Sequence, residues 1–300
     1  GVGGGRGCAA RRAPYGSPGK DCLMTRIPVN GVHLNIETRG AGPPLLLLHG
    51  FTGSAATWAP AMAHFAPRHR VVAPDLLGHG RSDAPVHPSR YRVGRTVADI
   101  VAVLDQLGLR TVGVLGYSMG GRLALRLAST APERVAALVI VSASPGLRGT
   151  AARRARAEQD GLLADAIERD GVPAFVEYWE RLPIFATQAG LPPATRERVR
   201  AERLGHSARG LANSLRGMGQ GVQPPLHARL PLLRMPALIL TGELDAAYCA
   251  LGKEMERLMP HARLAVVPGA GHAVHLEQPE VFRGLVVEFL SQVTADQTVR

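Results

Sequence analysis

The sequence predicts an α/β fold: a mostly parallel, doubly wound sheet that carries an inserted helical lid. Short, nearly continuous runs of Val, Ile and Leu alternate with helical stretches along most of the chain. Strands of that kind are buried on both faces, as in parallel sheets covered by helices. The alternation stops between residues 146 and 230, where several helical stretches follow one another without a strand-like run. We therefore expect a core at 24–145 and 231–300, with 146–230 as the lid.

The composition excludes several classes of protein. Of the 300 residues, 46% are apolar and 20% charged, which is typical of a globular chain. No apolar run approaches the ~20 residues of a membrane-spanning helix, so we expect no membrane insertion. Three widely spaced cysteines (Cys8, Cys22 and Cys249) form neither a disulfide framework nor a zinc motif. Such sparse cysteine favours a reduced, cytoplasmic location.

The net charge of +11 does not indicate a nucleic-acid partner. Lys20 and Lys253 are the two lysines, so the other 33 of the 35 basic residues are arginines. These arginines are mixed with acids throughout and form no basic block interleaved with aromatic residues. Charge of that kind affects solubility and non-specific attraction more than recognition. The sequence does not indicate an oligomeric state.

The first 23 residues differ from the rest of the chain. They are rich in Gly, Arg and Pro and show no periodicity. We expect a disordered tail or an over-extended start, with Met24 as the natural beginning. An apolar segment of the kind found in signal peptides is missing from this stretch.

The regular pattern opens with a hairpin. Asn30-Gly31 separates the strand-like runs 26–29 and 32–37, and this pair favours a type I′ turn because both central residues need positive φ. Further strands are predicted at 45–49, 71–74, 112–117, 137–143, 237–242 and 264–268, and helices at 54–65, 95–107, 119–130, 247–259 and 278–292.

A G-x-S-x-G motif, GYSMG at 116–120, lies between a predicted strand and a predicted helix. The glycines permit a tight, strained turn that exposes the hydroxyl of Ser118 at the edge of the sheet. The helix that follows directs backbone N–H groups toward developing negative charge. Ser118 is therefore the candidate nucleophile or base.

A serine needs a partner base, and that base needs an orienting acid. His272 and Asp245 each follow a predicted strand, and the chain order Ser, Asp, His suits this motif. Glu243 remains a rival for the acid. His275 stands near His272 without a third ligand, so we expect no metal. His206, in the lid, remains a possible substrate contact.

The segment HGFTG at 49–53 follows the first buried strand. A glycine-flanked turn there presents a backbone N–H toward the serine. We expect the N–H groups of Phe51 and Met119 to form an oxyanion hole, where each such donor contributes ~3–4 kcal/mol.

Five segments together resemble the α/β-hydrolase superfamily across residues 26–292. They are HGFTG (49–53), DLLGHGRSD (75–83), GYSMGG (116–121), GELD (242–245) and GAGH (269–272). The superfamily includes esterases, C–C hydrolases, dehalogenases, peroxidases, lyases and hormone receptors. The fold by itself therefore does not assign a function.

Further segments resemble one family of that superfamily, the 2-succinyl-6-hydroxy-2,4-cyclohexadiene-1-carboxylate synthases. They are Arg122 after GYSMGG, FVEYWERLPIF (175–185), GLANSLRGMGQGVQPPL (210–226) and GAGHAVHLEQPE (269–280). That family is a cofactor-independent lyase of menaquinone biosynthesis, which expels pyruvate from a cyclohexene bearing three carboxylates. The resemblance implies that Ser118, deprotonated through His272 and Asp245, removes the proton beside the succinyl ketone.

The resemblance also implies which residues bind the substrate: Tyr117, Arg122, Arg156, Trp179 and Arg203. Arg153 or Arg154 remains an alternative for the position of Arg156, and Ala246-Ala247-Tyr248 lacks the lysine common after the family's aspartate.

Elementary chemistry supports the same reading, because guanidinium groups bind carboxylates bidentately and stay charged. Arg122 lies four residues after Ser118, on the same helical face. Two other functions remain open on this sequence. One is a carboxylesterase or C–C hydrolase that uses the same three residues, and the other is a ligand-binding receptor on a hydrolase scaffold.

Overall fold

The computed structural model describes residues 22–298, and the side chains of 23–295, as an eight-stranded sheet with helices on both faces. The strands are β1 (Cys22–Val29), β2 (Val32–Arg39), β3 (Pro44–Leu48), β4 (Arg70–Pro74), β5 (Val112–Tyr117), β6 (Val135–Val141), β7 (Ala237–Gly242) and β8 (Ala262–Val267). The helices are α1 (Ala59–Phe65), α2 (Val93–Gln106), α3 (Met119–Thr130), α4 (Thr150–Glu180), α5 (Pro193–Leu204), α6 (Ala208–Met218), α7 (Ala246–Leu258), α8 (Val274–Glu277) and α9 (Pro279–Thr298).

The strand order is β1-β2-β4-β3-β5-β6-β7-β8, and this order confirms the predicted sheet. Strand β2 runs antiparallel to both its neighbours, while β3 to β8 are parallel. The hairpin turn also has the predicted form, with φ of 46° at Asn30 and 82° at Gly31. The carboxyl ends of the parallel strands therefore meet at one edge, where ligands bind in folds of this type.

The two faces of the sheet bury separate apolar clusters. Leu46 and Leu48 of β3 point into the cluster covered by α2, α3 and α7. Leu45 and Leu47 point into the opposite cluster, covered by α1 and α9. All four leucines are almost fully buried, and each such side chain contributes ~1.5–3 kcal/mol relative to exposure. The alternation explains why this strand is apolar without interruption.

The ends of some elements differ from the predicted positions. Strand β1 already begins at Cys22, two residues before the predicted start of the core, because it pairs with β2 as far as Arg39. The rest of the predicted tail, residues 1–21, lies outside the described residues. Strand β6 begins at Val135 rather than 137, and α9 continues to Thr298.

The segment between β6 and β7 contains helices and, within the described chain, no strand. We call residues 146–230 the inserted segment. Its longest helix, α4, breaks at Gly171, which has φ of 83°, just before Pro173, which lacks an N–H donor. Helices α4 and α6 pack around a third apolar cluster. The exact domain boundaries stay a prediction. None of the helices within residues 22–298 is long and apolar enough to cross a membrane.

Candidate active site

Ser118 occupies the sharp turn between β5 and α3. Its φ is 52°, a left-handed value that is costly for a residue with a side chain. The turn is fixed on both sides: the N–H of Ser118 donates to the Val141 carbonyl at 2.9 Å, and its own carbonyl accepts from the Arg122 N–H at 3.0 Å. The hydroxyl is therefore held at the carboxyl edge of the sheet.

Two glycines make this turn sterically possible. A Cβ at Gly116 would lie 2.3 Å from the carbonyl oxygen of Gly120, and a Cβ at Gly120 would lie 2.2 Å from that of Leu48. Real Cβ atoms do not approach backbone oxygens so closely. Helix α3 can therefore pack against β3 and β5 only with glycine at both positions.

We predict that Gly120→Ala destabilises the protein by about 1–3 kcal/mol or more, because the new methyl group must displace backbone. Gly161→Ala is the matched control, since that helical glycine has no neighbour within 4 Å of a built Cβ. Alanine there should be neutral or stabilising by up to ~1 kcal/mol. Urea denaturation of both variants measures the difference, and equal midpoints would refute the steric argument.

His272 connects Ser118 to Asp245. Its Nδ1 lies 2.7 Å from Oδ2 of Asp245, and its Nε2 lies 3.0 Å from Oγ of Ser118. A carboxylate only accepts, so Nδ1 carries the proton and Nε2 is free to accept from the serine. The rival acid, Glu243, instead accepts from the N–H of Gly269. The arrangement can therefore move a proton from serine to histidine.

The predicted oxyanion donors lie on either side of Ser118. Phe51 belongs to the turn after β3, and Met119 is the first residue of α3, so its N–H has no acceptor within that helix. Phe51, Met119 and Ser118 line one cavity. Within residues 22–298, no acceptor is recorded for the N–H of Phe51. Both donors can therefore stabilise a negative oxygen bound beside the serine.

The turn that carries Phe51 is tied to the inserted segment. Glu202 accepts from the hydroxyls of Ser54 at 2.6 Å and Thr57 at 2.7 Å. His206 donates through Nε2 to the carbonyl of Thr52 at 2.8 Å. The sequence left His206 open as a substrate contact, and in the structure it binds the turn that carries Phe51. The role of Glu202 could not be predicted from the sequence, because no motif marks a contact across about 150 residues.

A cavity of about 590 Å³ opens above Ser118. Its lining includes Phe51, Ser118, Met119, Arg122, Arg156, Trp179, Phe185, Tyr248 and His272. The two alternatives to Arg156 do not line this cavity. Arg153 donates to the carbonyls of Leu147 and Arg148. The side chain of Arg154 is exposed. The structure therefore brings Arg122 and Arg156 together with Ser118.

Both of these arginines are held by neutral or acidic groups. Arg122 donates to the Met218 carbonyl at 2.8 Å, and burial lowers its pKa to about 10, so it stays charged near neutral pH. Arg156 donates to Asp160 at 2.8 Å and to Gln220 at 3.1 Å. Two fixed guanidinium groups on one side of the serine suit an anionic ligand.

Arg203 and Tyr117 do not line the large cavity. They border a smaller chamber of about 60 Å³ that also contacts Ser118. Arg203 donates to Glu180 at 3.2 Å and Gln188 at 3.0 Å. Burial raises the pKa of Tyr117 above its usual range. Trp179 borders both spaces.

The first turn of α7, directly after Asp245, differs in composition from the pattern expected at this site. Two alanines, Ala246 and Ala247, separate Asp245 from Tyr248, and the lysine that the resemblance implied in this stretch is missing. The ring of Tyr248 packs 4.6 Å from that of His272. The N–H of Tyr248 donates to Oδ1 of Asp245 at 3.3 Å. This helical turn therefore orients the acid, and its three residues add no positive charge beside it.

Known proteins with the same fold resemble this chain over most of its length. Residues 43–279 match the family described as the alpha/beta hydrolase fold. A Bacillus subtilis (strain 168) protein named putative 2-succinyl-6-hydroxy-2,4-cyclohexadiene-1-carboxylate synthase is 45% identical over 266 residues, which is 88% of this chain and 97% of that protein. The synthase of that name from Salmonella paratyphi C (strain RKS4594) is 32% identical over 255 residues, covering 84% and 93%. The solved structure of MenH from S. aureus matches with a TM-score of 0.83 at 29% identity, covering 87% and 99%.

Proposed function

The chain belongs to the α/β-hydrolase fold family and, within it, to the 2-succinyl-6-hydroxy-2,4-cyclohexadiene-1-carboxylate synthases, and we propose that it works as this lyase in menaquinone biosynthesis. Its substrate is 2-succinyl-5-enolpyruvyl-6-hydroxy-3-cyclohexene-1-carboxylate, from which it eliminates pyruvate. One observation carries the proposal: His272 joins Ser118 to Asp245 in a cavity that also holds Arg122 and Arg156. A proton-transfer centre and paired cations thus share one space. The sparse cysteines support a cytoplasmic location.

The reaction begins with removal of a proton. His272 accepts the hydroxyl proton of Ser118, and the serine oxygen takes the proton from the ring carbon beside the succinyl ketone. The electron pair of that C–H bond enters the ketone, and the N–H groups of Phe51 and Met119 stabilise the enolate oxygen.

The enolate then expels the leaving group. Its electrons return to form a double bond in the ring, the existing ring double bond shifts by one position, and the C–O bond to the enolpyruvyl group breaks. Pyruvate leaves as its enolate and takes up the proton that the His272 imidazolium releases, which returns His272 to its neutral form and leaves the conjugated diene as the other product. Ser118 remains unacylated throughout.

The arginines account for selectivity toward a substrate with three carboxylates. Arg122 and Arg156 bind such groups on the cavity side of Ser118, and Trp179 and Phe185 cover the bound ring. Arg156, Trp179 and Phe185 belong to the inserted segment, whereas Arg122 lies on α3 of the core. We therefore assign the inserted segment the role of a lid.

We predict that the purified protein releases pyruvate and forms conjugated diene in equal amounts from freshly prepared substrate. Pyruvate is followed with a coupled dehydrogenase and the diene by ultraviolet absorbance. Ser118→Ala, a small change at the reacting oxygen, should abolish both signals. Turnover of p-nitrophenyl esters without pyruvate would identify a carboxylesterase or C–C hydrolase instead. Tight substrate binding without any product would identify a receptor.

A further inference from the structure

The small chamber beside Ser118 has a lining that the proposed mechanism leaves partly unused. Its volume is about 60 Å³, and it shares Phe51, Ser118, Trp179 and Phe185 with the large cavity. A molecule bound at Ser118 can therefore extend into both spaces. The chamber has about a tenth of the volume of the large cavity, about 60 Å³ against about 590 Å³, so it suits a small group such as a carboxylate better than a substituted ring.

Arg198, on α5, lines this chamber. Its guanidinium makes no hydrogen bond or ion pair with any residue of the described chain, and its Nη1 is buried. The neighbouring Arg203 is instead bound to Glu180 and Gln188. A buried donor on a charged group is costly without an acceptor, so an unpartnered guanidinium beside a reacting serine points to a ligand.

Two other lining residues also carry buried polar atoms without partners among the described residues. They are Nε1 of Trp179 and both ring nitrogens of His275. His275 lies with its ring 4.4 Å from that of Tyr117, and burial lowers its pKa to about 3, so the neutral ring offers one donor and one acceptor. Three residues around one small space therefore lack hydrogen-bond partners.

The charges of the lining favour an anion. Arg198 and Arg203 face one acid, Glu202. Oε1 of that carboxylate already accepts from Ser54 and Thr57, and Arg198 acts on it electrostatically to lower its pKa against the effect of burial. Since Arg203 is already paired with Glu180, the guanidinium left to attract an anion is that of Arg198, which shares the chamber with buried N–H donors that lack partners in the described part of the chain.

We propose that Arg198 binds a carboxylate in this chamber, and that the group bound is the three-carbon pyruvyl unit released by the reaction. The assignment rests on the proposed function. The substrate has three carboxylates, and the pyruvyl carboxylate belongs to the smallest group that separates from the ring. The ring and its succinyl chain require the large cavity. Arg122 and Arg156 then hold the other two carboxylates.

Pyruvate binding tests the proposal without turnover. The chain has two tryptophans, and Trp179 borders the chamber while Trp58 packs 4.9 Å from His275, so their fluorescence should respond to bound pyruvate. We expect saturable quenching in the wild type and about 10- to 100-fold weaker pyruvate binding in Arg198→Met, the loss of one charge-assisted contact. Arg196→Met is the matched control, because Arg196 is exposed on the same helix.

Steady-state kinetics give the second readout. Arg198→Met should raise KM for the full substrate by a similar factor, Arg198→Lys should recover part of the loss, and Arg196→Met should match the wild type. Equal pyruvate affinity in Arg198→Met and wild type would overturn the subsite, as would a wild type without saturable binding. A wild type that binds pyruvate through Arg198 but releases none from the substrate would support the subsite and overturn the proposed function.

Discussion

Replacing His272 with alanine is expected to lower kcat for pyruvate release by about 10²- to 10⁴-fold, the usual contribution of a positioned general base. His272 is the residue through which Ser118 can lose its proton, at 3.0 Å, and Asp245 fixes its tautomer at 2.7 Å. Without the imidazole, the serine oxygen keeps its proton and cannot attack the substrate C–H bond. KM should change little, because Arg122 and Arg156, the proposed substrate-binding residues, remain in place.

The matched controls separate chemistry from packing. His272 is 2% exposed and packs against Tyr117, Phe185 and Tyr248, so its loss leaves a cavity. His272→Asn keeps more of that volume and should be as inactive as His272→Ala. Added imidazole should partly restore pyruvate release in His272→Ala. Activity within a few-fold of wild type in either variant would remove His272 from the mechanism.

Asp245→Asn tests the orienting acid in the same assay. An amide can still occupy the space beside Nδ1, but it no longer stabilises a protonated imidazole by charge. We expect a large loss of kcat that does not exceed the loss in His272→Ala. If Glu243→Gln lost kcat to this extent and Asp245→Asn did not, Glu243 rather than Asp245 would be the orienting acid.

The parts of this fold that sequence analysis predicted are those that local patterns determine. Strand β5, helix α3 and strand β7 begin and end where they were predicted, because buried apolar runs and the glycines around Ser118 restrict the backbone over a few residues. Asn30-Gly31 likewise determines its own turn. The ends of β1 and β6 were less accurate, since they depend on how far a neighbouring strand continues.

The role of each arginine in α5 could not be derived from the sequence in the same way. Residues 196, 198, 200 and 203 are all arginines on one helix. Their surroundings depend on how α5 packs against α4 and the turn after β3: Glu180 binds Arg200 and Arg203, while Arg198 faces the chamber beside Ser118. Such contacts join residues far apart in the chain, and no local pattern encodes them.

Acidification from pH 7.5 to 5 is expected to weaken the folded state through its buried histidines. Burial lowers the pKa of His49 and His206 to about 4 and that of His275 to about 3. Unfolded histidine has a pKa near 6.5, so the unfolded chain takes up protons that the folded chain excludes. Each buried neutral histidine therefore adds to the free energy of unfolding above pH 6.5, and this contribution is lost as the pH falls toward the folded pKa. By pH 5 the loss is about 2 kcal/mol for each histidine.

Buried carboxyl groups act in the opposite direction. Burial raises the pKa of Glu37, Asp75 and Glu202, so these groups stabilise the folded state at low pH and lose that contribution as the pH rises through their folded pKa. The pH dependence of the free energy of unfolding is therefore the difference between the histidine contribution and the carboxyl contribution. A single histidine variant isolates one of them.

His206→Gln is the most informative variant, because glutamine can keep both contacts of this histidine. Its amide N–H replaces Nε2 at the Thr52 carbonyl, and its oxygen replaces Nδ1 as the acceptor for the Gly80 N–H. Since glutamine does not titrate, the variant should lose about 2 kcal/mol less than the wild type between pH 7.5 and 5. Urea denaturation at each pH measures this, and His64→Gln, at an exposed position, should follow the wild-type curve. A His206→Gln curve parallel to the wild type would show that His206 takes up its proton equally in the folded and unfolded states.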